Sequence, residues 1–285
     1  MLALAGCTVA PPSPQLGGRG PALWKVADAD TTIYLFGTIH LLPDGVAWRT
    51  PAFERAVAQS GGLVTEAVLG DDPAAASNAM QRLAFSPGLP PLEMRVPADK
   101  RAALARMVTQ AGIPAGSLDR VETWAAALSL LSVSLQQIGL KPELGVERGL
   151  EAAYRAAGKP VAGLETLDRQ MGYFDGLSEA AQRAFLVGVL DSPEQSRAEF
   201  DGMVKAWTAG DVEAIAETFD AEANFSPELR AVLMTRRNAA WAEWLRQRLD
   251  QPGTVLVAVG AGHLAGKDSV QRMLAARGVS ATRVQ

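Results

Sequence analysis

The stretch Thr31–His40, TTIYLFGTIH, decides the fold together with its counterpart Thr254–His263, TVLVAVGAGH. Each is a run of β-branched, aromatic and aliphatic residues, which is typical of a buried strand. Each run stops at a glycine, and a histidine stands three positions after that glycine. These are the only two histidines in the chain. The two strand ends therefore carry the main functional signal of the sequence.

The segments around these two runs predict further strands. Leu23–Val26 and Thr31–Phe36, separated by the polar Asp28–Asp30, indicate a β-hairpin. Leu63–Leu69 and Val161–Leu164 are also typical of strands. Gly37 is expected to end its strand, which would place His40 in the following loop.

Most of the remaining chain has helical spacing, with Gly or Pro between the segments. The predicted helices are Pro73–Phe85, Ala98–Ala111, Leu118–Gly139, Val146–Ala157, Leu167–Gly172, Ser178–Leu190, Pro193–Ala209, Asp211–Glu222, Pro227–Leu249 and Lys267–Arg277. Thr282–Val284 is predicted as an edge strand. We therefore predict an α/β fold: a central mixed sheet covered by helices, with a large helical insertion between the N- and C-terminal strand segments.

Composition limits the class of protein. The chain has 285 residues, of which 48% are hydrophobic, and can bury a substantial core. We interpret residues 23–285 as a single domain. The net charge of -4 and pI near 5.4 argue against a nucleic-acid or anionic-membrane partner, because both favour basic patches.

The N-terminal residues predict a lipid anchor. The lone cysteine, Cys7, follows Leu4-Ala5-Gly6, and this sequence is similar to a bacterial lipobox. Residues 1–22 are interpreted as the remnant of a lipobox signal and a flexible tether, with Cys7 as the lipidated residue. The expected location is the bacterial cell envelope, on the periplasmic side. The alternative is a short tail with an incidental cysteine.

Four candidate groups lie at predicted strand ends: His40, His263, Glu66 and Glu165. Ligands of open α/β sheets collect beyond the carboxyl ends of the strands. Two imidazoles and a carboxylate are a common ligand set for a divalent metal such as zinc, manganese or cobalt. We therefore predict a metal site of His40, His263 and Glu66, with Gly37 and Gly260 allowing the chain to turn.

The division of roles between Glu66 and Glu165 is left open by the sequence, because either could act as general base and acid. Glu147 is a supporting candidate, although a glutamate at a helix start also suits the helix dipole. Arg237 could bind a carboxylate or a developing oxyanion. The sequence contains no Gly-x-Ser-x-Gly motif and no P-loop.

The ordered motifs resemble the TraB/GumN family, which also contains the Tiki proteases. The resemblance covers Leu23–Gly278, and its strongest parts are Tyr34–Leu41, Gly163–Thr166, Arg237-Asn238 and Val259–Leu264. It implies an EreA/ChaN-like α/β fold and a metal-dependent protease preferring manganese or cobalt. In that case His40, His263 and Glu66 would hold the metal, Glu165 and Arg237 would assist, and Asn238 would support the site.

Three hypotheses follow. The first is a divalent-metal-dependent hydrolase of the cell envelope, acting on a peptide or small molecule. The second is a non-catalytic lipoprotein that binds haem or another ligand, similar to the ChaN proteins. The third is a scaffold in which both histidines are buried structural residues.

Overall fold

The strands form one mixed sheet. A computed structural model describes residues 20–68, 78, 81–190, 193–221 and 226–285. Within these ranges the strands are β1 Leu23–Ala27, β2 Thr31–Thr38, β3 Gly62–Ala67, β4 Val161–Glu165, β5 Gly253–Gly260 and β6 Thr282–Arg283. Their order across the sheet is β4-β3-β5-β2-β1-β6.

Four neighbouring strands of this sheet are parallel. β4 pairs with β3, β3 with β5, and β5 with β2, all in the parallel sense. β1 is antiparallel to β2, and the short edge strand β6 is antiparallel to β1. The carboxyl ends of β2, β5, β3 and β4 therefore meet at one edge of the sheet.

Helices lie between β2 and β3, between β3 and β4, between β4 and β5, and between β5 and β6. They are α1 Pro51–Gln59, α2 Arg101–Gln110, α3 Thr123–Gln137, α4 Val146–Ala156, α5 Leu167–Asp175, α6 Glu179–Gly188, α7 Pro193–Ala209, α8 Val212–Ala221, α9 Pro227–Arg230, α10 Arg236–Arg248 and α11 Val270–Ala275. A π-helical turn, Ala231–Thr235, joins α9 to α10. A 3₁₀ turn, Ala261–Leu264, follows β5 and carries His263.

The sheet is buried on both faces because successive residues of a strand point to opposite sides. Leu256 and Ala258 of β5 belong to one core, while Val257 and Val259 belong to the other. Helices α1, α4, α7 and α8 pack on the first face, and α10 and α11 pack on the second. A separate apolar cluster around Trp124 joins α2, α3 and α6.

The α/β class, the central mixed sheet and the β1–β2 hairpin are confirmed. Some predicted bounds were wrong: helix α3 begins at Thr123 rather than Leu118, and α11 begins at Val270 rather than Lys267. Two further local predictions were also wrong. Gly37 does not end its strand, because β2 continues to Thr38, which pairs with Gly260. The predicted helix Pro227–Leu249 is interrupted by the π-helical turn, a feature that a purely helical spacing does not reveal.

Some predictions concern residues outside the described ranges. Cys7 and most of the predicted tether are among them, as is most of the predicted helix Pro73–Phe85. Within the described ranges, no helix has both the length and the apolar character needed to cross a bilayer.

Candidate functional site

The predicted site residues meet at the carboxyl edge of the parallel strands. Glu66 is the penultimate residue of β3, and Glu165 is the last residue of β4, where it pairs with Ala67. His40 lies two residues after β2, and His263 lies in the 3₁₀ turn after β5. The fold therefore collects four groups that are far apart in sequence.

The Nδ1 atom of His40 pairs with a carboxylate. It lies 2.7 Å from Oε1 of Glu147, and 62% of the His40 side chain is exposed. Glu147 also accepts a hydrogen bond from the hydroxyl of Thr38. Helix α4 can approach this closely because Gly145 precedes it: a Cβ there would collide with the carbonyl oxygen of His40.

The charge of this partner shifts the titration of His40. The carboxylate of Glu147 raises the pKa of His40 to about 9. Burial alone would raise the pKa of Glu147, but the adjacent His40 lowers it. An imidazole bound through Nδ1 to a carboxylate presents Nε2 to the other side, which is the usual arrangement of a metal-binding histidine.

His263 is buried and has a defined tautomer. Its Nδ1 lies 2.6 Å from Oδ1 of Asn238, and the amide nitrogen of Asn238 donates to the carbonyl oxygen of Asp268 at 2.7 Å. This second bond fixes the amide orientation, so Nδ1 of His263 must be the protonated nitrogen. Burial, aided by the charges of Arg237 and His40, lowers the pKa of His263 to about 3. Its Nε2 therefore keeps a lone pair.

Glu66 is a buried, ionised carboxylate. Its Oε1 accepts from the backbone N–H of Gly260 at 2.7 Å and lies 3.6 Å from Nε2 of His263. Its Oε2 accepts from Arg237 at 2.6 Å. Burial alone would raise the pKa of Glu66, but the interactions with His263 and Arg237 outweigh it and lower the pKa to about 2.

Arg237 contacts several acceptors of the site. Its Nε donates to Glu165, and its Nη2 lies 2.6 Å from Glu66 and 3.0 Å from Glu165. Its Nη1 donates to the carbonyl oxygen of Leu233 at 3.2 Å and lies 3.3 Å from Nε2 of His263. All three nitrogens of the guanidinium are therefore engaged. Arg237 thus holds the site together, and its charge is already paired with two carboxylates.

Glu165 is enclosed by donors. Besides Arg237, its Oε1 accepts from Nε1 of Trp241 at 3.0 Å and from the hydroxyl of Tyr173 at 3.2 Å. Only 2% of its side chain is exposed. Because its oxygens are engaged, the geometry favours a role for Glu165 in positioning Arg237.

Gly260 leaves a hollow between the site groups. A Cβ at this position would lie 3.2 Å from Oε1 of Glu66, 3.6 Å from Cδ2 of His263 and 3.7 Å from Nε2 of His40. Neither Gly260 nor Gly37 has a positive φ, so the expectation that they supply a sharp turn was wrong. Their role is space: a Cβ on Gly37 would lie 3.1 Å from Cα of Ala261.

The donor types around this hollow fit a divalent metal. Two imidazoles whose Nδ1 atoms are anchored and one ionised carboxylate are a common ligand set. In the described part of the chain, however, no group of three or more His, Cys, Asp or Glu is placed to hold an ion. Arg237 contacts both Glu66 and His263, so shared binding would require it to move from Nε2 of His263.

A large cavity opens beside the site. It has a volume of about 480 Å³, and its lining includes His40 and Arg237. Its walls come mainly from apolar side chains of α3, α6, α7 and the π-helical turn. Its size falls within the range of about 300–1,000 Å³ that is usual for small-molecule sites.

The sequence alone did not identify Gln170, Tyr173 and Trp241 as neighbours of the site. Gln170 lies 3.4 Å from Oε2 of Glu66, and Trp241 contacts the ring of His263 at 4.5 Å between centroids. Trp241 is four residues after Arg237 on one helix, a spacing that puts both on one face and could have indicated it.

A model of the TraB/PrgY/gumN family matches residues 22–283. Two curated relatives carry the name uncharacterized protein YbaP, one from Escherichia coli (strain K12) and one from Shigella flexneri. Each is 26% identical over 254 residues, which covers 89% of this chain and 92% of the relative. No solved structure gives a significant match.

Proposed function

The chain belongs to the TraB/PrgY/gumN family, and from its site geometry we propose that it is a divalent-metal-dependent hydrolase acting on peptide bonds. The observation that carries the proposal is the arrangement at Gly260. There an ionised Glu66 and the two motif histidines surround a hollow that any side chain would fill. His40 and His263 would hold the ion, with Glu66 as the third ligand or as the adjacent base.

The charges of the site favour a cation. Glu66 and Glu165 pair with Arg237, and Glu147 pairs with His40, so these three carboxylates share one permanent cation. Excess negative charge in a buried site attracts a proton or a metal ion. The raised pKa of His40 is one sign of this excess.

The acid–base properties of the site also support a metal. A carboxylate with a pKa of about 2 is a weak base, and so is an imidazole with a pKa of about 3. Glu66 can therefore accept a proton only from water that is itself made more acidic. A bound divalent ion would supply that acidity and polarise the scissile carbonyl.

In this proposal the chain performs three tasks. Glu147 and Asn238 orient the imidazoles, and Arg237 keeps Glu66 ionised and in place. Glu66 takes a proton from the attacking water and returns it to the departing amine. The water oxygen bonds to the carbonyl carbon first, and the C–N bond then breaks as the amine receives the proton. Glu165 acts through Arg237.

Metal content tests the proposal. The tag-free protein is incubated with Mn, Co or Zn, desalted and measured by plasma mass spectrometry. We expect close to one ion per chain in wild type and a loss of at least tenfold in His40→Ala and His263→Ala. Glu66→Gln distinguishes the two possible roles of Glu66. If Glu66 is the base, the variant should still bind the metal; if Glu66 is the third ligand, the variant should lose it.

The matched control is Glu243→Gln, an exposed carboxylate paired with Arg246 away from the site. It should bind metal as wild type does. The proposal fails if no ion binds, or if folded His40→Ala and His263→Ala variants, checked by circular dichroism, bind as much as wild type.

The proposal includes a location. The lipobox-like residues before Cys7 support an envelope protein tethered through a lipid on that cysteine. Mass spectrometry of the protein expressed in a bacterial host that processes lipoproteins would detect the lipid. Cys7→Ser should then release the protein from the membrane fraction.

Ligand binding without turnover is the second candidate. The observation that favours it is the largely apolar cavity that His40 helps to line, because a histidine in an apolar pocket can also bind haem iron. A Soret band on addition of haem, lost in His40→Ala, would support this candidate. An unchanged spectrum would exclude haem binding and favour the hydrolase.

A further inference from the structure

We propose that the 480 Å³ cavity beside His40 binds a bulky, uncharged apolar group attached to the reacting carbonyl of the substrate. This inference rests on the hydrolase proposal and adds the class of substrate. The group is an aliphatic or aromatic chain, supplied either by peptide side chains or by a fatty acyl chain.

The cavity wall is largely apolar. Its lining includes Leu131, Phe174, Phe185, Phe200, Met203 and Leu233, which belong to five different segments. Apolar side chains that line an open cavity gain free energy when a ligand displaces water from them. Such a wall suits an apolar group better than a polar one.

The cavity adjoins the proposed site. His40 and Arg237 belong to its lining, so a ligand that fills it contacts residues of that site. A group bound there would hold the adjacent carbonyl near the two motif histidines. Binding energy away from the reacting atoms can thereby orient them.

The charges around the cavity disfavour an anionic ligand. Arg237 already pairs with Glu66 and Glu165, His40 pairs with Glu147, and Glu199 belongs to the cavity lining. These four carboxylates outnumber the two basic groups, Arg237 and His40. In the metal-free protein a ligand with a free carboxylate beside His40 is therefore repelled, whereas an amide or ester is accepted.

Filling the cavity tests the inference. Leu131 is half-buried in the wall, so Leu131→Trp reduces the volume without removing core packing. Leu118→Trp is the matched control. Leu118 is also half-buried and lines a different cavity of about 490 Å³, formed around α2 away from the site.

The first readout is binding, independent of catalysis. Nile red, a neutral fluorophore, is titrated into each protein in its metal-free form and displaced by decanamide or decanoate. We expect Leu131→Trp to weaken the decanamide-displaceable binding at least tenfold and Leu118→Trp to change it less than twofold. Decanamide should displace the dye at least tenfold more effectively than decanoate. Equal effects of both variants, or equal displacement by both compounds, would overturn the inference.

The second readout is turnover of end-blocked peptides with Gly, Ala, Leu or Phe at the acyl side of the scissile bond, beside a fatty-acyl amide. We expect kcat/KM to rise at least tenfold from Ala to Phe, or to be highest for the acyl amide, and Leu131→Trp to abolish that preference. If kcat/KM is the same for every apolar group, the pocket is refuted but the hydrolase is not. Selective dye binding without hydrolysis of any compound would refute the hydrolase but not the pocket.

Discussion

His263 should make the free energy of unfolding depend on pH in a defined way. Its ordinary pKa is 6.5, and burial lowers the pKa in the folded protein to about 3. Below pH 6.5 the unfolded chain therefore takes up a proton that the folded protein does not. Acid stabilises the unfolded state, and the stability contributed by neutral His263 is lost as pH falls from 6.5 towards 3.

The size of this loss of stability is set by the one proton that His263 takes up in the unfolded chain. Each pH unit in this window costs about 1.4 kcal/mol. Between pH 7.5 and 5.0 the expected loss is about 2 kcal/mol, because the folded protein remains unprotonated at His263 throughout. His40 acts in the opposite sense: its pKa of about 9 contributes stability that is present below pH 6.5 and lost as pH rises through 9.

The assay is urea unfolding at pH 7.5, 6.5, 5.8 and 5.0, in a chelator, for wild type and for His263→Gln. The contribution of His40 is common to both proteins and cancels in the difference. We expect wild type to lose about 2 kcal/mol more than His263→Gln between pH 7.5 and 5.0. Because the chain has only two histidines, few other groups titrate in this range.

A difference below about 0.5 kcal/mol over that range, roughly a quarter of the expected effect, would refute the reasoning. It would mean that His263 is protonated in the folded protein at pH 5. The bond from its Nδ1 to a fixed amide oxygen would then not set the tautomer, and Nε2 would not be a free donor for a metal.

Three further predictions concern the surroundings of the histidines. Gly260→Ala should keep the fold, because the φ of Gly260 is -49°, but should weaken metal binding at least tenfold by filling the hollow. The measurement is calorimetric titration with the metal, and the control is Gly61→Ala, whose Cβ would meet only one atom, at 3.6 Å. Equal metal affinities of the two variants would contradict the site. Glu165→Gln should cost about 3–5 kcal/mol in urea unfolding, because it breaks a buried ion pair; a loss below 1 kcal/mol, the usual value for exposed pairs, would count against the network. Glu147→Gln should lower the pKa of His40 from about 9 by removing the charge that raises it, as NMR titration of the metal-free protein would show, and an unchanged pKa would exclude the pairing.

Local signals in the sequence were sufficient for several elements. The hairpin of β1 and β2 follows from two apolar runs around a polar turn, and its register is now defined by pairs such as Trp24 with Leu35. Helix α7 begins and ends where its spacing predicts, at Pro193 and Ala209. These elements depend on residues that are close together in the chain, so periodicity reveals them.

The neighbours of the candidate residues could not be predicted in the same way. Glu147 is more than a hundred residues from His40, and Arg237 is 171 residues from Glu66. Their contacts depend on the insertion of β5 between β2 and β3. Strand order arises from long-range packing of faces that all have similar apolar patterns, so the pattern of one strand does not specify its neighbour.

The class of fold, the two histidines at strand ends and the family resemblance could all be inferred from the sequence. Each depends on residue identity and on short spacing. The folded arrangement was needed to learn that Glu147 and Asn238 anchor the imidazoles, that Arg237 pairs with two carboxylates, and that His40 lines an apolar cavity. These properties arise from hydrogen-bond partners and excluded volume, which exist only once distant segments have packed together.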